Sequence, residues 1–83
     1  MYKPENEPVK VVAYFDTKIK ILKFKFGNTV YKVSEQISYW KEMKGENKFS
    51  YYTLKCAEQN FLCELQFNHT DLKWVLIHWD ILY

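Results

Sequence analysis

Four residues of this chain have side chains suited to nucleophilic catalysis or metal binding: Cys56, Cys63, His69 and His78. If Phe67 pairs with Trp74 in a terminal hairpin, Cys63 faces His78, and such contacts occur in catalytic and zinc-binding pairs. Both residues, however, lie inside apolar stretches, where a free cysteine packs as a small hydrophobic residue, and the sequence supplies no two further zinc ligands nearby. We therefore interpret Cys63 and His78 as core side chains and expect Cys56 and Cys63 to be free thiols.

His69 stands in a polar segment, with Asn68 before it and Thr70 and Asp71 after it. Such clusters usually form turns, because their short polar side chains hydrogen-bond to the local backbone. A ligand role for His69 is the less favoured alternative. The sequence also has no glycine-rich phosphate loop, serine elbow or Cys-x-x-Cys motif, and it contains only two glycines. An enzyme is therefore the least favoured class, and no cofactor or metal is expected.

Positive charge is concentrated in the first half of the chain. Residues 1–44 carry nine lysines and five acidic residues, whereas residues 45–83 carry three lysines and five acidic residues. Five of these lysines fall on one predicted hairpin: Lys18, Lys20, Lys23, Lys25 and Lys32. They form a candidate surface for an anion or nucleic acid, but without arginine this surface lacks bidentate contacts to phosphate or guanine. The alternative is that the lysines protect a sheet edge and keep it solvated.

The segment 18–33, KIKILKFKFGNTVYKV, predicts the hairpin that carries these lysines. Its apolar residues change parity between Ile21 and Leu22, and a regular strand cannot do this, so we expect a β-bulge there. Gly27-Asn28 is a two-residue turn signal. The resulting register opposes Lys23 to Lys32 on the exposed side. On the buried side it forms one cross-strand quartet: Leu22, Phe24, Tyr31 and Val33.

Residues 34–43 form the one candidate helix. Ser34 can cap its N-terminus, and Ile37, Trp40 and Met43 recur at helical spacing. The same segment also fits a strand in which Ile37 and Tyr39 alternate. We favour the helix.

The rest of the chain predicts a second hairpin and a closing strand. Residues 49–57 and 61–68 pair across Glu58-Gln59, which opposes Tyr52 to Leu65 and Leu54 to Cys63. The closing strand, residues 73–79, is apolar at both parities, so it has more apolar surface than one sheet face needs. Either the Trp40 segment covers this strand, or the strand binds a partner. The candidate interface residues are Trp40, Val75, Ile77 and Trp79.

Together these elements predict a mainly β fold, α+β at most. We expect about six sequential antiparallel strands, arranged as a strongly bent sheet or small partly open barrel, with one short helix near 34–43. Residues 1–8 are predicted to be a flexible lead-in, and residues 9–83 a single small domain. No secretory leader opens the chain, and no apolar run approaches the roughly 18 residues that span a bilayer. We therefore expect a cytoplasmic protein that does not bind a membrane.

The order of motifs resembles a group of small bacterial all-β domains of unknown function. The motifs are FKFGNTVYKV, Trp40, YYTLK, CELQFN and KWVLIHWD, and the resemblance covers about Phe24 to Asp80. Such domains occur alone or at the C-terminus of Y-family-polymerase-like proteins of bacterial mutagenesis cassettes. The resemblance implies an accessory, non-catalytic module linked to DNA repair, without established site residues. This chain differs from the pattern in having lysines for arginines, no glycine in its 57–60 turn and no tryptophan pair after the Trp40 region.

The functional hypothesis from the sequence is thus a non-catalytic accessory or protein-interaction module. Its partner is another protein or a second copy of the chain. The alternative is weak, sequence-tolerant nucleic-acid binding through the lysine face of the first hairpin.

Overall fold

A computed structural model describes residues 3–82 of the chain, with side chains described from residue 6 onward. The described chain forms eight strands: β1 Lys3–Pro8, β2 Lys10–Phe15, β3 Ile19–Phe26, β4 Thr29–Lys32, β5 Glu35–Lys44, β6 Asn47–Cys56, β7 Phe61–Asn68 and β8 Lys73–Ile81. The prediction of a mainly β fold is confirmed. The strand count is corrected from six to eight, and two open antiparallel sheets replace the single bent sheet or barrel.

The two sheets pack face to face around one hydrophobic core. The large sheet has the order β1-β8-β7-β6-β5, and the small sheet has the order β2-β3-β4. Ile21 and Phe24 of the small sheet are 2% and 1% exposed, and Leu54, Leu65 and Leu76 of the large sheet are fully buried. Because each sheet has one apolar face, the sheets bury those faces only against each other.

The small sheet forms as the alternation of the first hairpin predicts. Val12 pairs with Lys23 and Ala13 with Ile21, which leaves Leu22 as the extra residue of a bulge and confirms its predicted position. The predicted Phe24–Tyr31 and Lys23–Lys32 pairs both form, and Phe26 pairs with Thr29, so the Gly27-Asn28 turn is confirmed. The burial of Leu22 was predicted wrongly. Its side chain is 44% exposed, because the bulge removes it from the alternation of the ladder.

The helix predicted near 34–43 is wrong, since these residues belong to β5. This strand pairs with β6 along almost its whole length, from Glu35–Lys55 to Lys44–Asn47, with Ile37 as the extra residue of a bulge. Cross-strand pairing supplies backbone hydrogen bonds, and the aromatic and β-branched residues of the segment favour a pleated surface. Gly45, at a φ of +63°, begins the two-residue turn into β6.

The β6–β7 register is the predicted one. Tyr52 pairs with Leu65, Leu54 with Cys63 and Cys56 with Phe61. The connection is longer than Glu58-Gln59 alone. It is a 3-10 turn, Ala57–Gln59, followed by Asn60, whose left-handed backbone directs its N–H to the Ala57 carbonyl at 3.1 Å.

The sequence predicts residues 1–8 to be a flexible lead-in. In the structure, residues 3–8 form β1. β1 pairs with β8, with Pro4 opposite His78 and Pro8 opposite Val75. Prolines are tolerated because β1 is an edge strand, where one side of the backbone needs no partner. Residues 1–2 of the lead-in lie outside the described residues.

Candidate interaction site

The residues predicted as an interface do not all lie on one surface, although Trp40 and Val75 share the outer face of the large sheet, in the cross-strand row Trp40–Tyr51–Gln66–Val75. Trp40 lies on β5, whereas Val75 lies on β8, three places away in the large sheet. Ile77 is half-buried at the bulge of β8. Trp79 faces the core and stacks on Phe61, with the ring centroids 5.3 Å apart. Of the three β8 residues, Trp79 therefore contributes to packing within the chain, and Val75 and Ile77 are half-buried.

The largest group of exposed apolar side chains lies on β5, and a second group, Val12, Tyr14 and Phe15, lies on β2. Four large side chains of β5 are well exposed: Ile37 by 49%, Tyr39 by 47%, Trp40 by 43% and Met43 by 64%. The Trp40 ring stacks on Tyr51 at 5.0 Å, and the Tyr39 ring packs against Tyr52 at 5.0 Å. Stacking fixes the two rings in place, so they can contact a partner at little further entropic cost. Tyr39 lies on the inner face of the large sheet with Tyr52, and Trp40 lies on the outer face with Tyr51. We call these four residues, which flank the edge on both faces, the β5 edge patch.

A groove of about 810 Å³ runs beside β5. One wall is formed by residues 17–21, which lead into and begin β3, and the other by residues 33–39 and Lys41. Lys48, Tyr52 and His69 complete the lining. The groove exists because β4 ends at Lys32 and leaves the first half of β3 without a strand on that side. We call it the β5 groove.

The β5 groove is electropositive. Four lysines line it, against one lining acid, Glu35: the lysines are Lys18, Lys20, Lys41 and Lys48. The pKa of the His69 imidazole lies below its ordinary value, first because of partial burial and then because of the positive charges of Lys48 and Lys41. The same field that disfavours a proton on His69 favours a negatively charged ligand.

Gln36 closes one end of the β5 groove. Its side-chain oxygen accepts a hydrogen bond from the Ile21 N–H at 2.5 Å, and its amide nitrogen donates to the Ile19 carbonyl at 3.5 Å. The Ile21 N–H and the Ile19 carbonyl are two residues apart on β3, so they point to the same side of the strand. A neighbouring strand would form hydrogen bonds with them at this side. The glutamine amide thus substitutes for a strand and ties β5 to the small sheet.

The lysine face predicted from the sequence is largely present. Lys23 and Lys25 of β3 and Lys32 of β4 are exposed on the outside of the small sheet, and Lys10 of β2 joins them opposite Lys25. Lys20 is also exposed, whereas Lys18 lies in the turn before β3. Lys18 and Lys20 line the β5 groove as well, so the two positive surfaces adjoin there.

The predicted contact between Cys63 and His78 is wrong. The bulge in β8 shifts the register by one residue, so Cys63 pairs with Trp79 and Glu64 pairs with His78. The His78 ring nitrogen lies 2.6 Å from the Glu64 carboxylate. Both cysteines are free and buried. Burial raises the pKa of the Cys56 thiol to about 11 and that of the Cys63 thiol further, so neither is an activated nucleophile.

The part of the chain that the structure describes contains no group of three or more histidine, cysteine, aspartate or glutamate side chains placed to hold a metal ion. Over the same residues, no helix has the length and apolar character to cross a membrane. Comparison with known proteins gives no family model, curated protein or solved structure that matches the chain.

Sequence reasoning missed Ile37, Tyr39 and Met43 as candidate contact residues, and Lys41 and Lys48 as members of a basic groove. The strand alternative for residues 34–43 contained the useful signal. In that alternative Ile37 and Tyr39 lie on one long strand, and such a strand at a sheet edge exposes them.

Proposed function

We propose that this chain is a non-catalytic interaction module that binds a partner protein by strand addition at the free edge of β5. The observation that supports the proposal is the β5 edge patch, four exposed large apolar side chains on a ten-residue strand that, among the described residues 3–82, pairs only with β6. Alternate residues of an antiparallel edge strand direct N–H and C=O groups away from the sheet. An extended segment can bind these groups and cover the apolar side chains.

Two features of the β5 edge restrict which strands can pair with it, and this restriction favours a specific partner. The bulge at Ile37 interrupts the ladder, and Lys41 and Lys44 place charges along the strand. Bulges and lysines oppose uncontrolled pairing of exposed edges. Residues 38–44 therefore remain as a regular seven-residue edge, about 23 Å long at the usual rise per residue.

Selection from a displayed library of random octapeptides tests this proposal. The wild-type protein should enrich peptides with strand-forming residues at alternate positions, and the double variant Ile37→Lys/Met43→Lys should not, because edge lysines oppose strand addition. The matched control is Val12→Lys/Val30→Lys, on the edge strands of the small sheet, where the native side chains are 49% and 46% exposed. Equal enrichment by both double variants would contradict the proposal.

The expected cytoplasmic location forms part of this proposal. Cys56 and Cys63 are both free thiols, and proteins of oxidising compartments commonly pair their cysteines. The link to DNA repair that the resemblance implies also stays a hypothesis about the process this module serves.

Binding of a polyanion on the small sheet is the second candidate function. Its support is two directly opposed lysine pairs, Lys10–Lys25 and Lys23–Lys32, on an exposed face. Like charges opposite each other destabilise a sheet, and a bound polyanion relieves that repulsion. An exposed tyrosine, Tyr14, lies opposite Lys20 on the same sheet and is available for base stacking.

Fluorescence anisotropy with a labelled oligothymidylate tests the second candidate. Binding should weaken with salt at a log–log slope of roughly −0.7 per neutralised phosphate. Lys23→Glu/Lys25→Glu should abolish it, and Lys44→Glu/Lys73→Glu, away from the small sheet, should not. Unchanged binding after the first substitution pair would remove the lysine face from consideration.

A further inference from the structure

We infer that the β5 groove receives an extended peptide segment rich in aspartate or glutamate. This inference rests on the proposed strand addition at β5 and specifies the chemistry of the partner. The segment would pair with the free edge of β5 and direct its acidic side chains into the groove.

The charges of the groove favour an acidic ligand. Lys41 lies on the β5 wall, Lys18 and Lys20 lie on the opposite wall, and Lys48 of β6 also lines the groove. With Glu35 as the single acid among the lining residues, a ligand seated between these walls meets positive charge from both sides. Lys48 is half-buried, and a partly buried charge is screened less than one on an open surface, so an acidic ligand gains more from Lys48 than from an exposed lysine of the lysine face.

The shape of the groove determines where an extended segment can lie. Its volume of about 810 Å³ lies within the range of roughly 300–1,000 Å³ of ordinary ligand sites. The hydrogen bonds from Gln36 to β3 close the end next to residues 19–21. A bound segment must therefore lie along β5 beyond Gln36, beside the backbone of residues 38–44. This placement brings it to Lys41 and Lys48.

A peptide fits this site better than a second copy of the chain or a nucleic acid. Antiparallel self-pairing of residues 38–44 would place Lys41 opposite Lys41 of the second copy, which adds repulsion to an already positive site. A nucleic acid has no backbone groups that complete a β-ladder. Of the aromatic side chains in the groove, Tyr52 is buried and only Tyr39 is open to stacking on a base.

The test uses labelled octapeptides and fluorescence anisotropy. One probe alternates glutamate with threonine, the second alternates glutamine with threonine, and the third is an oligothymidylate. The acidic peptide should bind about tenfold more tightly than the glutamine peptide, since each partly screened charge pair contributes a few-fold. The advantage should shrink as salt is raised.

Two pairs of substitutions locate the binding. Lys41→Gln/Lys48→Gln and, on the opposite wall, Lys18→Gln/Lys20→Gln should each reduce the affinity for the acidic peptide at least threefold. Lys23→Gln/Lys25→Gln, which removes the same charge from the lysine face, should leave it unchanged. The second groove pair keeps the test decisive if the half-buried Lys48 proves necessary for folding.

The outcomes separate this inference from the proposed function. Equal affinity for the acidic and glutamine peptides would overturn the inference and leave strand addition at β5 standing. Tighter binding of oligothymidylate, lost in the groove variants, would overturn it in favour of a nucleic acid. Another outcome is a wild-type protein that binds no peptide and forms a dimer that Ile37→Lys/Met43→Lys dissociates. That result would overturn the inference in favour of a second copy of the chain.

Discussion

The side-chain oxygen of Gln36 accepts a hydrogen bond from the backbone N–H of Ile21 at 2.5 Å, across the gap between the two sheets. Ile21 is 2% exposed, so its N–H has little access to water and needs a partner from the protein. Through this contact the large sheet completes a strand edge of the small sheet. The same contact sets where the β5 groove ends.

Replacing Gln36 should therefore lower the free energy of unfolding more than the replacement of an ordinary half-buried glutamine would. Gln36→Leu leaves the buried Ile21 N–H without an acceptor, and we expect a loss of about 1–3 kcal/mol in the free energy of unfolding. Chemical denaturation measures it. Gln59→Leu is the matched control, because Gln59 also accepts from a backbone N–H of the small sheet, that of Lys32, but at an exposed position. Equal losses of stability in both variants would show that the hydrogen bond from the Ile21 N–H to Gln36 contributes no more than the exposed one to Gln59.

Phe61 should be a main link between the sheets. Its ring stacks on Tyr31 of the small sheet at 4.2 Å and on Trp79 of the large sheet at 5.3 Å. Phe61→Ala removes both contacts from a site that is 4% exposed, and we expect a loss of about 3–5 kcal/mol. Leu72→Ala, at a side chain that is 68% exposed, should change the free energy of unfolding by less than about 0.5 kcal/mol. A small effect of Phe61→Ala in thermal or urea unfolding would contradict this packing.

Acidification should destabilise the fold through His69. Burial and the lysines at positions 48 and 41 lower its pKa in the folded state, so the unfolded chain binds the proton more readily. The contribution of His69 is then fully present above the unfolded-state pKa of about 6.5 and falls as the pH drops from there to the folded-state pKa.

The comparison that isolates this effect is wild type against His69→Gln, which cannot be protonated. The melting temperature of the wild type should fall more than that of the variant between pH 7.5 and pH 5. All other ionisable groups are common to both proteins and cancel in the difference. Parallel curves would exclude His69 as the cause.

The two cysteines should resist modification in the folded protein. Cys56 and Cys63 are fully buried, and their thiol pKa values are raised, to about 11 for Cys56. At pH 8 a thiol-specific disulfide reagent should react slowly with native protein and rapidly after unfolding in urea. Since both folded-state pKa values exceed those of the unfolded chain, stability should also decline as the pH rises above about 9. Rapid native labelling would contradict the buried positions.

Local pairings could be predicted from the sequence because short turns and alternation fix them. The Phe24–Tyr31 and Tyr52–Leu65 pairs and the bulge at Leu22 all depend on residues close together in the chain. The division into two sheets could not be predicted in this way. It depends on contacts such as Gln36 with Ile21, and no local pattern indicates that a glutamine side chain will replace a strand.

The candidate site was partly predictable for the same reason. The lysine face follows from alternation within one hairpin. The β5 edge patch was missed because Ile37, Trp40 and Met43 fit a helical period and a bulged strand equally well. The contact between Glu64 and His78 was missed because the bulge in β8 moves every later residue by one position.

Amide hydrogen exchange on β5 tests the central claim most directly. It is measured with and without an octapeptide selected on the wild-type protein. Strand addition predicts that exchange slows at alternate amides within residues 38–44 and stays unchanged on β2 and β4, the edge strands of the small sheet. Unchanged exchange on β5 at saturating peptide, or protection at β2 or β4 instead, would contradict the account.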